Sequence, residues 1–260
     1  VGHIHHFSAG WVSPLLAYAM ASVGGALGLR CTVRALAATG ASRRNWLLTA
    51  SIAIGSGIWT MHFIAMLGFG VSGTAIRYDI PFTVLGLLIA MAVTGAGIFT
   101  VGYGRIRSRS LLLGGLGTGL GVAAMHYLGM AALNLHGTVT YDIALVGLSV
   151  AIAVGAATAA LWAALTVRGT SGAAVASLVM GLAVSSMHYT GMAAVGIELA
   201  PSRAPLSGAT AMEFIFPLAV VLGSFLFLTS AFVALSPTAR EKAASEAAST
   251  PLREAELPIG

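Results

Sequence analysis

Three histidines carry most of the chemistry on offer in this chain. His62, His126 and His188 each stand in a version of one string: GSGIWTMHFIAM at 55–66, GLGVAAMHYLGM at 119–130 and GLAVSSMHYTGM at 181–192. Counting from each histidine, a glycine lies seven residues before (Gly55, Gly119, Gly181) and a methionine one before (Met61, Met125, Met187). An aromatic follows (Phe63, Tyr127, Tyr189), and a second methionine lies four after (Met66, Met130, Met192). An imidazole is costly inside an apolar run, and an ionisable residue there points to function by default. Imidazole with thioether is a soft donor set that suits copper, Cu(I) above all, and serves magnesium or calcium badly. The strings hold no carboxylate, which argues against a di-iron carboxylate site. Three imidazoles would suit zinc but leave the paired methionines unexplained. Haem held by two histidines, or by histidine and methionine, stays open, the glycines making room for the ring.

Other groups are candidates to supplement these nine. His3, His5 and His6 in HIHHF precede the first apolar run, and His136 follows the fourth. They either collect metal at the mouth of a site or form an ordinary polar terminus and loop. Asp79 and Asp142 would serve as partners for imidazole N–H groups or as charges at helix N-termini. Tyr127 and Tyr189 would donate hydrogen bonds to the site or pack as aromatics. Met20, Met91 and Met180, outside the strings, read as packing.

Such strings need elements to hold them, and the composition says which. The 260 residues are 57% hydrophobic and only 8% charged, against about a quarter charged in soluble domains, and the mean hydropathy is +0.92. Apolar runs long enough to cross ~30 Å of hydrocarbon as helices lie near 11–30, 45–69, 80–104, 111–135, 143–167, 172–197 and 212–236. The expected fold is all-α: a seven-helix membrane bundle occupying 1–236, made of three two-helix repeats and a final helix. The segment 237–260, rich in Ala, Glu and Pro, reads as a disordered or loosely helical cytoplasmic tail. The isoelectric point near 9.9 does not signal nucleic acid, because the basic residues sit in short connections. Eleven of the 13 basic residues fall on one side: Arg30, Arg34, Arg43, Arg44, Arg105, Arg107, Arg109, Arg168, Arg240, Lys242 and Arg253. Only Arg77 and Arg203 fall on the other. The positive-inside rule then puts the N-terminus outside and the C-terminus in the cytoplasm. One cysteine, Cys31, excludes an internal disulfide, and no CxxC exists. No basic segment precedes the first apolar run, so no cleaved signal peptide is expected.

Helical geometry ties the strings together. At 100° per residue, positions −7, 0 and +4 fall within roughly 60° of arc, while −1 lies about 100° to the side. Glycine, histidine and the second methionine thus share a stripe that should face another helix rather than lipid. The histidines are 64 and 62 residues apart, one pair of spans per copy. Spans two, four and six therefore run the same way, and the three imidazoles share one depth, roughly 12 Å below the outer surface at 1.5 Å per residue.

The string spelled in full at 187–190, MHYT, together with its two variants, resembles the MHYT family of bacterial integral membrane sensor domains. LGLRCTVRALAATGASRR and GGLGTGLGVAAMHYLGMAAL look like its stand-alone actinobacterial members. The resemblance implies copper held by motif histidines and methionines near the outer face, and sensing of oxygen, carbon monoxide or nitric oxide. Its candidate ligands are Met61, His62, Met66, Met125, His126, Met130, Met187, His188 and Met192. Copy one reads MHFI and copy two MHYL, so tyrosine and threonine at those positions are not required ligands. Many members carry cytoplasmic cyclic-nucleotide or kinase modules. None is expected in these 260 residues, so a sensor role would call for a cytoplasmic signalling partner. The competing readings are a copper- or haem-bearing membrane redox enzyme or electron carrier, and a metal or proton transporter. No nucleophile or general base constellation supports an enzyme, and no second His/Met layer near the cytoplasmic ends supports a continuous relay.

Overall fold

The computed structural model describes residues 4–5, 10–104, 107–167, 169–200, 202 and 204–236. Seven helices dominate: α1 Val12–Ala37, α2 Gly40–Leu67, α3 Ile80–Tyr103, α4 Arg107–Ala131, α5 Ile143–Thr166, α6 Gly169–Ala193 and α7 Phe216–Leu235. A π-helical turn, Ala211–Ile215, leads into α7. All seven are long and apolar enough to span a bilayer. Residues such as Leu88, Leu113, Leu182 and Phe227 are exposed on their flanks. In water they would form an apolar patch too large for a soluble monomer. In a bilayer they are the lipid-facing surface.

The six helices of the repeats close into a ring. Each helix packs on its chain neighbours, and α6 closes the circuit by packing on α1. The glycine seven residues before each histidine makes the contact between repeats. A methyl on Gly55 would overlap the Met91 backbone of α3; one on Gly119 would overlap the Val154 backbone of α5; one on Gly181 would overlap Ser22 of α1. Three equivalent glycines thus allow three close helix approaches, backbone to backbone at Gly55 and Gly119 and onto the Ser22 side chain at Gly181, which is how small residues join helices in lipid. Helix α7 lies outside the ring against α1 and α2, its Gly223 seated on Met20.

One end of the bundle carries short antiparallel strand pairs: β1 Ile4–His5 with β2 Gly70–Val71, β3 Arg77–Tyr78 with β4 Leu133–Asn134, and β5 Gly137–Tyr141 with β6 Val195–Leu199. Each of the last two pairs joins the connection after one motif helix to the connection after the next, so the three loops interlock. These strands correct the expected spans. The fourth stops at Ala131 and the sixth at Ala193, rather than running to 135 and 197, because the chain turns into β4 and β6. The first span runs on to Ala37 instead of stopping near residue 30.

At the opposite end the arginines do more than set topology. Arg34 donates to the carbonyls of Val233 and Ser236 at the end of α7, at 2.8 Å each. Arg43 donates to the Gly102 carbonyl at the end of α3, and Arg107 to the Leu165 carbonyl near the end of α5 at 2.7 Å. Each places a cation on helix C-terminal carbonyls, where the backbone dipole is negative. The positive-inside rule predicts that this arginine end faces the cytoplasm. Cys31 is fully buried, so the test uses Cys31→Ala chains bearing one exposed cysteine. Ala75→Cys, at the strand end, should react with an impermeant maleimide added to intact cells, and Ser108→Cys only after the cells are opened. The reverse pattern would invert the assignment.

Candidate metal centre

Helices α2, α4 and α6 each place a histidine five residues before their last residue. The three therefore lie at one depth, nearer the strand end than the sequence suggested: about 7.5 Å from the helix ends at 1.5 Å per residue. His62, His126 and His188 are 0–1% exposed and meet at the centre of the ring. Their Nδ1 atoms form a triangle: His62 to His188 3.0 Å, His62 to His126 3.1 Å, and His126 to His188 3.3 Å. The ring centroids stand 4.9–5.1 Å apart with planes inclined 82–88°. Centroids farther apart than the nitrogens mean that every ring turns Nδ1 inward, in a propeller.

Three inward nitrogens make an unusual electrostatic problem. Protons can satisfy pairs of them, but each lone pair or N–H is aimed at the same central point. A cation there satisfies all three at once. The circle through the nitrogens has a radius of about 1.8 Å, close to the ~2.0 Å of a metal–imidazole bond. Nε2 of His62 and Nε2 of His126 are buried with no hydrogen-bond partner among the described residues, a cost of about 1–3 kcal/mol each, whereas a metal-bound imidazole usually donates its second N–H to a partner.

Glycines create the room for this propeller. A methyl on Gly129 of α4 would overlap Nε2 of His62, and one on Gly191 of α6 would overlap Nε2 of His126. Both glycines stand three residues after their own histidine, so each helix yields space to its neighbour's ring. Copy one has Ala65 at that position, so the three-fold pattern is broken there. The sequence reading passed over Gly129 and Gly191, although their recurrence in LGM and TGM was visible.

The methionines divide into two sets. Met66, Met130 and Met192 are buried in one core cluster with Phe69, Tyr78 and Ile197 of the strand end. They lie one turn from the histidines on that side. Met61, Met125 and Met187, one residue before the histidines, face other neighbours, although Met125 and Met187 belong to that same cluster. Met61 packs with Ala17, Ala21 and Ala65 beside α1, Met125 approaches Gly86 of α3, and Met187 lines a cavity on the arginine side.

Most of the accessory candidates stand away from the triad. Asp79 accepts from the Phe82 N–H and Asp142 from those of Ala144 and Leu145. Each caps a helix, which answers the choice left by the sequence in favour of the helix end. His136 is held by the Ala204 carbonyl at 2.9 Å from Nε2. His5 belongs to β1, while His3 and His6 lie outside the described residues. The Tyr127 ring stands edge-on to His126 at 4.8 Å and its hydroxyl shares a 2.6 Å hydrogen bond with Ser149. Tyr189 stands edge-on to His188 at 5.0 Å. Both tyrosines wall the imidazoles.

Comparison with known proteins matches the first two of these strings. The family model described as a bacterial signalling protein N-terminal repeat, MHYT, matches residues 55–114 and 119–177. Its two copies begin on Gly55 and Gly119, the glycines of the inter-repeat contacts. The bifunctional diguanylate cyclase/cyclic di-GMP phosphodiesterase MucR of Pseudomonas aeruginosa is 42% identical over 64% of this chain and 25% of its own length. The cyclic di-GMP phosphodiesterase NbdA of the same organism is 42% identical over 63% of this chain and 21% of its own. The signaling protein YkoW of Bacillus subtilis is 32% identical over 60% of this chain and 20% of its own. The chain thus spans at most a quarter of the length of these relatives. No solved structure matches it.

Proposed function

The chain belongs to the MHYT family of bacterial membrane signalling proteins, and we propose that it is a copper-binding sensor whose metal is held by His62, His126 and His188. The observation that carries this reading is the triangle of buried Nδ1 atoms with sides of 3.0–3.3 Å. Three protein ligands leave a coordination position for an exogenous molecule. In a multi-pass protein of the bacterial cytoplasmic membrane, a neutral diatomic gas such as oxygen, carbon monoxide or nitric oxide fits that role. The donor chemistry favours copper. No cysteine or carboxylate joins the triad among the described residues, and the nearby thioethers of Met66, Met130 and Met192 favour the lower oxidation state. Copper would supply the electron-rich centre that binds such a gas. The imidazoles hold it, and the strand end keeps water from it.

Haem fits this site poorly. A haem with two axial imidazoles needs them on opposite faces of a macrocycle, and nitrogens 3.0–3.3 Å apart leave no space for one.

The relatives named as cyclic di-GMP enzymes suggest where a signal goes: to a signalling module at the arginine end, joined to this domain or bound to it. A photo-crosslinker at Ser108 in native membranes should capture such a module, and lipid-only adducts there would count against the relay. The metal assignment is tested on purified protein. After exposure to copper under reducing conditions it should retain one copper per chain, show no Soret band, and give a carbonyl stretch in the infrared on addition of carbon monoxide. Protein that stays copper-free, or that takes up zinc in preference to copper, would overturn the proposal.

A further inference from the structure

Directly on the arginine side of the triad, at the centre of the ring, lies a cavity of about 60 Å³. The residues four before each histidine line it: Ile58, Val122 and Val184. It therefore begins one helical turn below the three imidazoles, and Met187, next to His188 in the chain, also reaches it. The rest of the wall is apolar apart from threonines. Of these, Thr32 and Thr118 donate their hydroxyl protons to backbone carbonyls, while Thr94 Oγ1 is buried with no partner among the described residues. Three scattered threonine hydroxyls in a wall of Leu, Ile, Val, Ala and Met offer a water little to bind, and apolar cavities of this kind stay dry and take up xenon or small hydrocarbons.

The cavity has a neighbour at the lipid surface. A groove between α5 and α6 opens on the flank of the bundle, and Ala156 and Met180 line both it and the central cavity. Those two half-buried side chains are the partition between membrane and centre. The approach from the strand end is closed. Towards the strand end the triad is covered by Met66, Met130, Met192, Tyr78 and Ile197, all 1–2% exposed.

We infer that the central cavity is a docking chamber for one small neutral apolar molecule, which enters from the lipid through the α5–α6 seam at Ala156 and Met180 and so reaches the triad from its arginine side. The identity of that molecule as the gas to be sensed rests on the function proposed above; the chamber and its entrance do not. Apolar gases concentrate in hydrocarbon, so an entrance facing lipid delivers them better than one facing water. A methionine at the partition supplies a flexible, unbranched door. An alanine opposite it leaves the gap.

The test uses xenon as the probe and the full chain free of metal, so that it fails or succeeds independently of copper. Xenon-pressurised crystals should show one xenon atom bounded by Ile58, Val122 and Val184. Xenon-129 exchange measured by NMR should slow about tenfold in Ala156→Phe, whose ring plugs the seam, and accelerate in Met180→Ala. Val122→Phe fills the chamber and should abolish the bound signal. Xenon absent from the centre of the wild-type protein would overturn the chamber. Exchange unchanged in both Ala156→Phe and Met180→Ala, with xenon still bound, would overturn the entrance.

Discussion

Replacing any one of His62, His126 or His188 by alanine will cost more than about 100-fold in copper affinity. Residues that merely orient metal ligands are already worth 10–100-fold, and here a ligand itself is lost. The loss should be nearly equal at the three positions, because their Nδ1 atoms stand within 3.0–3.3 Å of one another and all three rings are buried. Equilibrium competition with a Cu(I) chelator reads it, with Met20→Leu and Met91→Leu as controls that leave binding intact. The methionine series separates the two sets. Met61→Leu should be silent, since Met61 packs among alanines beside α1. Met66, Met130 and Met192, gathered on the strand side, should lower the preference for Cu(I) when changed to leucine. A loss confined to one histidine would mean that the copies have diverged and that a shared centre is wrong.

Gly129→Ala and Gly191→Ala are the second pair of large expected effects. Each adds one methyl where a neighbouring imidazole already sits, at Nε2 of His62 or of His126. The His62 ring stands edge-on to Phe63 and the His126 ring edge-on to Tyr127, which limits how far each can retreat. Overpacking of this kind costs about 1–3 kcal/mol in stability. A ring pushed off the triangle should also lose copper as severely as the histidine variants. Ala65→Gly is the informative contrast, because it removes a methyl at the equivalent position of copy one and should leave binding intact. Thermal unfolding of the metal-free protein, followed by copper titration, reads both effects. Copper affinity unchanged in Gly129→Ala would contradict the assigned packing.

The motif strings made much of this visible in advance. Seven apolar runs and a repeat of helix pairs gave the bundle, and equal spacing of three histidines on helices running the same way gave their common depth. What escaped is local. The segments GTVTY and VGIEL pair as β5 and β6, but short strands in connections carry little signal beside apolar runs of twenty residues. VGIEL overlaps the end of an apolar run, so it was absorbed in part into a span. The −7 glycines were read as a face turned towards another helix, and they are. The +3 glycines do more for the site, yet the broken pattern at Ala65 hid them. The acidic residues Asp79 and Asp142 offered two uses from sequence alone, and only the hydrogen bonds to helix N-termini decide between them. Arginines that looked like topology markers also hold the last carbonyls of α3, α5 and α7, which spacing cannot reveal because their partners are 58 to 202 residues away in the chain.

X-ray absorption at the copper edge of the reduced, copper-loaded protein tests the central claim most directly. Three imidazoles predict a first shell dominated by about three nitrogen scatterers near 2.0 Å, with the outer-shell pattern of imidazole rings, and a reduced count in His126→Ala. A first shell made mainly of sulfur, or one unchanged by His126→Ala, would contradict a metal held at the meeting point of His62, His126 and His188.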